Sequence, residues 1–466
     1  MQAAAPKPAP LELQGRRVVV LGLARSGQAA AELLHAHGAR VVGVDEGGEA
    51  PALFRGPWAA KFLAEGHAAA RTAVLDAASL LVLSPGIPTT HALVRAARER
   101  RLPILAEIEL AYRLCAAPVI AVTGSKGKST TTALVGSLLD AAGVEHVVAG
   151  NIGLPFSAVV GSLPSRAWAV LEISSFQLET VDLFHARAAV LLAITPDHLD
   201  RYASMEEYAA AKARITRHQT AADLLVVDPE DPWSAGVGRS AAARVVGFGR
   251  LWEGRGVERD GDALVWRQGA EREELAAVTD VPLLGEHNVR NAMAALAVVR
   301  GLGLWNAAAR QGLRQFAGLE YRMQPCGEIG GIRIVNDAKS TTVESVRAAV
   351  RGVRGPVLLA LGGRNKGLDF TALRADLQAA RVVLVFGEAA PDLERELAGA
   401  APLQRVGTLD ELLRRALELG RPGDTLLFSP GCTSFDMFRN AEERGHRFAA
   451  AVERLRLERS REGSRS

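Results

Sequence analysis

An α/β protein of three domains, each built on a parallel sheet, is what this sequence predicts, and three observations carry the expectation. The first is length: 466 residues exceed what one hydrophobic core serves and fit roughly three domains of ~150 residues each. The second is rhythm. Three segments open with a short β-branched run ending in glycine or a carboxylate and continue into an Ala/Leu helical pattern, the mark of βαβ units. The third is composition: 48% hydrophobic and 23% charged residues describe an ordinary packed α/β chain with no long disordered span.

In the first segment, "RRVVVLGLARSGQAAAELLHAHG" reads as strand, tight turn and helix, and "ARVVGVDEG" as the next strand, ending at Asp45. The turn is similar to the dinucleotide fingerprint G-x-G-x-x-G, but Ala24 stands at its middle glycine, and one imperfect match is weak. "LLVLSPGI" is a further strand whose Pro85-Gly86 puts small residues at the sheet's carboxyl edge, where such folds hold ligands. The second segment runs from "PVIAVTGSKGKSTTTALVGSLLDAAG" through the strands "WAVLEISS" and "AAVLLAITPDHLD" to the Ala-rich helix of "GEHNVRNAMAALAVVRGLG". Near Gly318 the pattern restarts with "IGGIRIVNDAKST", "GPVLLALGGRNKG", "RVVLVFG" and "DTLLFSPGCTSFDMF". Boundaries are expected near residues 106 and 317, giving domains 1–106, 107–317 and 318–466.

Charge and cysteines narrow the function classes. Lys+Arg 55 against Asp+Glu 52 leaves +3, with no block of like charge to track a nucleic-acid backbone, so no nucleic-acid partner is expected. The tail "ERLRLERSREGSRS" mixes both signs and reads as a frayed helix end. Cys115, Cys326 and Cys432 are odd in number and far apart, which excludes a disulfide framework and a CxxC metal site and suits a reducing cytoplasm. "MQAAAPKPAP" lacks the apolar stretch of a secretory signal, and no apolar run approaches the ~20 residues of a membrane span. A soluble, cytoplasmic chain is expected.

The loop Gly124-Ser125-Lys126-Gly127-Lys128-Ser129-Thr130 lies between an expected strand and an expected helix. In that setting backbone N–H groups surround phosphate oxygens, Lys128 reaches the β- and γ-phosphates and Ser129 can ligate Mg²⁺; the alternative is a plain Gly/Ser turn. Val122 stands where the common G-x-x-x-x-G-K-[ST] loop has its first glycine. Glu172 ends the strand "WAVLE", where a carboxylate beside a phosphate loop meets the metal, or is simply a strand-end acid. His198 in "TPDHLDRY" follows a buried strand, though a lone His is more often structural. Lys212 in "EEYAAAKARI" reads by itself as a solvated helix lysine, and Asn288 and Asn291 in "GEHNVRNA" fit helix capping. In the last segment Asp337, Lys339, Lys366 and Ser434 follow three strands of one sheet. They either converge on a pocket for an anionic substrate or cap the helices there.

Taken in order, GxxGKST, "NIGLP", "LEISSFQLE", "TPDHLDRY", "AAKARI", "GEHNVRNA", "GLEYR", "NDAKST", "LGGRNKG" and "SPGCTSFD" resemble the Mur ligases, and among them those that add D-glutamate, from about Val18 to Phe448. The family's loop is the shorter G-x-x-G-K-[ST]-T, so Val122 is no defect. The resemblance implies a Rossmann-like N-terminal domain for a UDP moiety, a P-loop-type central ATPase domain, and a Rossmann-like C-terminal domain that brings the amino acid. It implies small-molecule partners, UDP-N-acetylmuramoyl-L-alanine and D-glutamate, and a monomer. The implied reaction transfers the γ-phosphoryl of ATP to a carboxylate, and an amine then attacks the acyl phosphate. Arg25, Ser26, Gly86 and Asn151 match UDP-substrate positions, with Gln177 near the lactoyl-alanine part. Gly124 to Thr130, Asn288, Asn291, Arg322 and Asp337 match ATP positions; Lys339, Thr341, Lys366 and Ser434 match the D-glutamate pocket. Lys128, Glu172, His198 and Lys212 form the implied catalytic set. Two Mg²⁺ are implied, one at Ser129 and Glu172 and one at His198, with Lys212 carbamylated by CO₂ into an anionic ligand. Three positions depart from the pattern: Ala441 for an aromatic, Tyr321 for His, and Lys126 for Asn.

Competing readings are weaker. A folate-type amide ligase does not need the "VVVLGLARSG" domain ahead of its ATP loop, and sibling ligases lack "NDAKST". A scaffold that had lost its chemistry would have lost Lys128, Glu172, His198 or Lys212, and all four are present. A hydride-transferring enzyme rests on the first βαβ unit alone.

Overall fold

Runs of buried Val and Leu build every sheet. The computed structural model describes residues 11–46, 58–62, 73–199, 201–283, 285–353 and 355–463. It divides into two units, Met1–Pro282 with His287–Phe316, and Leu283–Glu286 with Ala317–Ser466.

The first unit holds two sheets. β1 (Arg17–Leu21), β2 (Arg40–Asp45), β3 (Ala59–Phe62), β4 (Leu80–Leu83) and β5 (Ile104–Ala106) form a parallel sheet in the order β3-β2-β1-β4-β5. β4 is buried along its whole length and β1 along four of its five residues, which is why both read as unbroken apolar runs. The order reverses between β1 and β4, and a crevice at their carboxyl ends is where such sheets take ligands. The helix Arg25–Ala36 starts so close to the turn after β1 that a Cβ on Gly27 would fall 1.7 Å from the Gly22 carbonyl oxygen.

The second sheet has nine strands: β6 (Val119–Thr123), β7 (His146–Gly150), β8 (Trp168–Glu172), β9 (Ala188–Leu191), β10 (Leu224–Val227), β11 (Arg244–Gly249), β12 (Arg255–Asp260), β13 (Ala263–Gln268) and β14 (Glu271–Ala277). Their order is β14-β13-β12-β11-β10-β9-β6-β8-β7, parallel from β7 to β12. The antiparallel meander β12–β14 has no counterpart in the sequence reading. Gly261 and Gly269, both at φ +62°, make its turns. Because β8 and β9 flank β6, the loops that follow these three strands open along one edge.

In the second unit β15 (Gln324–Ile329), β16 (Ile332–Asn336), β17 (Val357–Gly362), β18 (Ala380–Phe386), β19 (Leu403–Arg405) and β20 (Thr425–Gly431) are ordered β15-β16-β20-β17-β18-β19, parallel except for the β15–β16 hairpin. Phe386, Phe428 and Phe448 stack through its core, with centroids 5.7 and 4.1 Å apart. Each such burial is worth about 1.5–3 kcal/mol. The final helix, Ala441–Gly463, takes in residues 453–463 of the stretch read as a frayed end. Among the described residues no helix is long and apolar enough to cross a membrane.

Candidate active site

β6 delivers the phosphate loop. Gly124 and Gly127 take φ +147° and +84°, and the helix Lys128–Ala141 begins directly afterwards. A Cβ at Gly124 would lie 2.6 Å from Leu192 Cβ, and one at Gly127 2.3 Å from Asn291 Oδ1, so shape and φ both demand glycine. Asn291 therefore rests on the loop, and its Nδ2 donates to Asn288 Oδ1 at 3.2 Å. A helix's first turn has N–H groups with no partner inside the helix, which makes a loop in this position a ready anion cradle. Ser125 does something else. Its Oγ donates to the Thr195 carbonyl (2.8 Å), accepts from the Thr195 N–H (2.9 Å) and meets Tyr208 Oη at 3.1 Å, fastening the loop to the segment after β9. Lys126 is exposed, and Ser129 and Thr130 are half-buried.

Two amines share one carbonyl. Lys128 Nζ donates to Gly124 O (2.9 Å) and Ser125 O (2.8 Å), and Lys212 Nζ donates to the same Gly124 O at 2.8 Å. Lys212 is 1% exposed, which corrects its reading as a solvated helix lysine. Burial, and then the charge of Lys128, push its pKa down to about 6. Its Nζ sits 4.5 Å from the ring of Tyr208, one helical turn earlier. Sequence reasoning missed Tyr208, although the i, i+4 spacing within "EEYAAAKARI" was the available signal.

Glu172 ends β8 opposite Val122 of β6 and is 2% exposed. Its Oε1 accepts from Asn151 Nδ2 at 2.8 Å, while Oε2 is buried without a partner. His198 adopts φ +55°, a conformation that costs a non-glycine residue about 1–2 kcal/mol and that its surroundings must hold. Its ring packs 4.7 Å from Phe176, and its side chain is 45% exposed.

This donor set fits Mg²⁺. A carboxylate with one orphaned oxygen and a hydroxyl at a phosphate-loop helix suit an ion that takes one or two protein carboxylates and completes its shell with phosphate and water. Among the described residues no three of His, Cys, Asp and Glu cluster into an all-protein cage.

On the N-terminal side, Arg25 donates from its guanidinium to the Gly153 carbonyl at 2.7 Å, which brings it to the loop that begins with Asn151. Ser26 follows on the same helix. Gly86 is exposed, with open space where a Cβ would stand, so packing does not require glycine there. Gln177 is 1% exposed, and its Oε1 accepts from the Ser174 N–H at 3.0 Å in a capping box, leaving Nε2 as the group it can offer a ligand. A small cleft joins the end of β4 to this segment, lined by Ser84, Pro85, Phe176, Gln177 and Glu179 among others. Asp45 Oδ2 accepts from the Leu23 N–H at 2.6 Å. The acid that would grip a ribose in a hydride-cofactor fold is thus engaged by the turn itself.

In the second unit β16, β20 and β17 are neighbours, so Asp337 and Lys339, Thr433 and Ser434, and Arg364 to Lys366 emerge along one edge. Arg364 and Thr433 exchange backbone bonds of 2.9 and 3.1 Å, zipping two of these loops together. Lys366 is exposed, its Nζ 5.8 Å from the Phe435 ring, and Ser434 is buried. Lys339 pairs with Glu442 at 3.4 Å, and half-buried Thr341 precedes the capping Thr342. Asp337 accepts from Ser429 Oγ (2.7 Å) and the Met323 N–H (3.2 Å), yet burial still pushes its pKa up to about 6. Arg322 is exposed between Tyr321 and Met323, at φ +62° and +46°. Sequence reasoning missed Arg444, a fully buried guanidinium that donates to Ala338 O (2.7 Å) and Cys432 O (2.9 Å) and so ties two of the site loops.

The chain is similar to known proteins along most of its length. The family models that match are Mur ligase MurD-like, N-terminal domain, over residues 16–106, Mur ligase middle domain over 122–299, and Mur ligase, glutamate ligase domain, over 321–432. Relatives named "UDP-N-acetylmuramoylalanine--D-glutamate ligase" include that of Acidobacterium capsulatum, 40% identical and covering 95% of this chain and 97% of its own. That of Anaeromyxobacter dehalogenans is 42% identical, covering 94% and 97%. Among solved structures, the UDP-N-acetylmuramate-alanine ligase of Thermotoga maritima has a TM-score of 0.60 at 19% identity, covering 95% of this chain and 99% of its own. The MurF ligase of Thermotoga maritima in complex with ADP has 0.58 at 17%, with the same coverage; these two likenesses speak for the fold. With family matches in all three segments and such identity along nearly its whole length, the chain belongs to the Mur ligase family.

Proposed function

We propose that the protein joins the amine of D-glutamate to the free carboxylate of UDP-N-acetylmuramoyl-L-alanine, with ATP split to ADP and phosphate, as a step of peptidoglycan precursor synthesis. The observation that carries this is the match to ligases of that name at up to 42% identity over 94% of the chain. The neutral, buried Lys212 and partnerless Glu172 oxygen beside a phosphate loop support it.

A substrate carboxylate oxygen attacks the γ-phosphorus as the bond to ADP breaks. The amine nitrogen of D-glutamate then adds to the acyl carbon, and phosphate leaves as the amine proton is lost. Lys128 is placed to leave its two loop carbonyls for the γ-phosphate, matching charge as it moves. Asn288 and Asn291 with the loop backbone orient the nucleotide, and Arg322 and Asp337 are further nucleotide-binding residues. Arg25, Ser26, Gly86 and Asn151 hold the UDP part, and Gln177 the part nearest the reacting carboxylate. Lys339, Thr341, Lys366 and Ser434 receive D-glutamate, with Lys366 facing a carboxylate. Ser129, Glu172 and His198 would hold two Mg²⁺, which supply charge neutralisation when bound. With its pKa near 6, Lys212 is an uncharged amine at neutral pH, able to add to CO₂ and become an anionic oxygen ligand. We further propose a cytoplasmic monomer with domains 1–106, 107–317 and 318–466.

Phosphate release with MgATP and UDP-N-acetylmuramoyl-L-alanine tests this, with D-glutamate set against L-glutamate, L-alanine, meso-diaminopimelate and no amino acid. Release that needs both D-glutamate and the UDP-sugar is expected. Release with another amino acid alone would overturn the pocket assignment around Lys339, Lys366 and Ser434.

A further inference from the structure

The turn that carries His198 is fastened from outside the reacting groups. The His198 carbonyl accepts from the N–H groups of both Arg201 (3.0 Å) and Tyr202 (3.2 Å), closing the turn on its left-handed residue. The side chains of the same two residues converge on one carboxylate. Arg201 Nε and a terminal nitrogen donate to Glu179 Oε1 and Oε2 at 2.9 and 2.7 Å, and Tyr202 Oη donates to Oε1 at 2.6 Å. Arg214 donates to the Glu179 carbonyl as well. Phe176 is gripped by both partners, with the Arg201 guanidinium carbon 4.1 Å and the His198 ring 4.7 Å from its centroid. Glu179 and Phe176 in turn line the cleft at the end of β4 with Gln177. One carboxylate thus couples the cleft wall to the His198 turn.

We propose that Glu179, Arg201 and Tyr202 form a positioning device that sets the imidazole of His198 against the substrate cleft. This rests on the reading, proposed above, that His198 is one of the residues that would hold Mg²⁺. The pair is suited to the task. Its side chains are only 17% and 13% exposed, so solvent competes little, and a bidentate guanidinium–carboxylate contact fixes orientation as well as distance. A lysine at Arg201 keeps the charge and loses the planar fork. The expected signature is a loss in kcat with the ATP and D-glutamate sites untouched.

The test uses the full-length protein with Arg201→Ala, Arg201→Lys, Tyr202→Phe and, as reference, His198→Ala. Steady-state kinetics are combined with ¹⁵N-histidine spectra in which the His198 ring signal is assigned by its loss in His198→Ala. Both Arg201 variants are expected to lose kcat by ~10–100-fold, the scale of a ~1 Å misplacement, with KM for ATP and D-glutamate within about twofold. Added guanidinium should restore part of the Arg201→Ala loss and none of the Arg201→Lys loss. Tyr202→Phe, which deletes a single bond, should show a smaller fall in kcat, and the His198 signal should move in every variant. If His198→Ala is inactive while Arg201→Ala and Tyr202→Phe keep wild-type kcat, or the His198 signal stays in place, the positioning role is overturned. Should Arg201→Ala fail to fold, Tyr202→Phe decides by the same two readouts. Wild-type kcat in His198→Ala would instead remove the underlying reading of His198, and the positioning role with it.

Discussion

Two lysines held by one carbonyl oxygen set the electrostatics of the site, because only one of them can be charged at low cost. Lys128, half-buried at the loop, takes that part, and Lys212, sealed behind Tyr208, is driven toward neutrality. Its pKa of about 6 lies below the ordinary 10.5, so the unfolded chain binds the extra proton between those values and stability rises with pH across that window. Lys212→Met is therefore expected to abolish turnover by at least ~10²–10⁴-fold. Its melting temperature should exceed that of the wild type by more at pH 6 than at pH 9, as calorimetry would read. Asp337 has the opposite displacement. Its carboxyl is raised from 3.8 to about 6 by burial, so ionising it costs the folded state roughly 3 kcal/mol above pH 6, and this cost fades as pH falls toward 4. Asp337→Asn should melt higher than wild type at pH 8, with little gain at pH 4.5, and should raise KM for ATP. A stabilised variant with unchanged KM would place Asp337 outside the nucleotide site.

Elements position these residues through their ends. Three neighbouring strands, β8, β6 and β9, end in Glu172, the phosphate loop and the His198 turn. Three others, β16, β20 and β17, end in Asp337, Cys432 to Ser434 and Arg364 to Lys366. Strand ends of this kind are legible in sequence because apolar runs stop where polar chemistry begins. Glycine use separates structural from functional demand. Gly127→Ala must force φ +84° on a residue with a Cβ and push against Asn291. It is expected to cost about 1–2 kcal/mol and to weaken ATP, readable as a drop in denaturation midpoint and a rise in KM. Gly86→Ala meets open space, so its midpoint should not move, and any effect should fall on KM for the UDP-sugar alone. The meander β12–β14 was not legible. Its strands "RGVERD" and "EREELAA" are polar, and without a partner such stretches look like loop.

At the scale of the whole molecule, the proposed ligand residues divide between two units. The residues proposed for the UDP-substrate belong to the first unit and those proposed for D-glutamate to the second; of those proposed for ATP, Gly124 to Thr130, Asn288 and Asn291 belong to the first and Arg322 and Asp337 to the second. Calorimetry should therefore resolve two transitions. A ligand at ~100 times its Kd adds about 2.7 kcal/mol to the unit that binds it. UDP-N-acetylmuramoyl-L-alanine should raise the transition of the first unit, D-glutamate that of the second, and MgATP with the UDP-sugar should raise both. D-glutamate raising only the first transition would contradict the division of sites.

The sequence by itself determined the three strand–loop–helix segments, the phosphate loop, and the order of motifs that leads to the family. Those depend on short-range patterns of apolar residues, glycines and turn chemistry that a linear chain displays. Tertiary structure decided what the motif residues are surrounded by. Lys212 stands in an alanine-rich helix like any surface lysine, and only the packing of Tyr208 and the Gly124 carbonyl over it removes water. Arg444 sits in the charged run "AEERGHR", yet its guanidinium is buried between Ala338 and Cys432. The left-handed His198 and the grip of Arg201 on Glu179 depend likewise on residues brought together from separate strand ends. A pKa, a buried ion pair or a forced φ is the product of a three-dimensional environment, and that environment exists only once the sheets have formed.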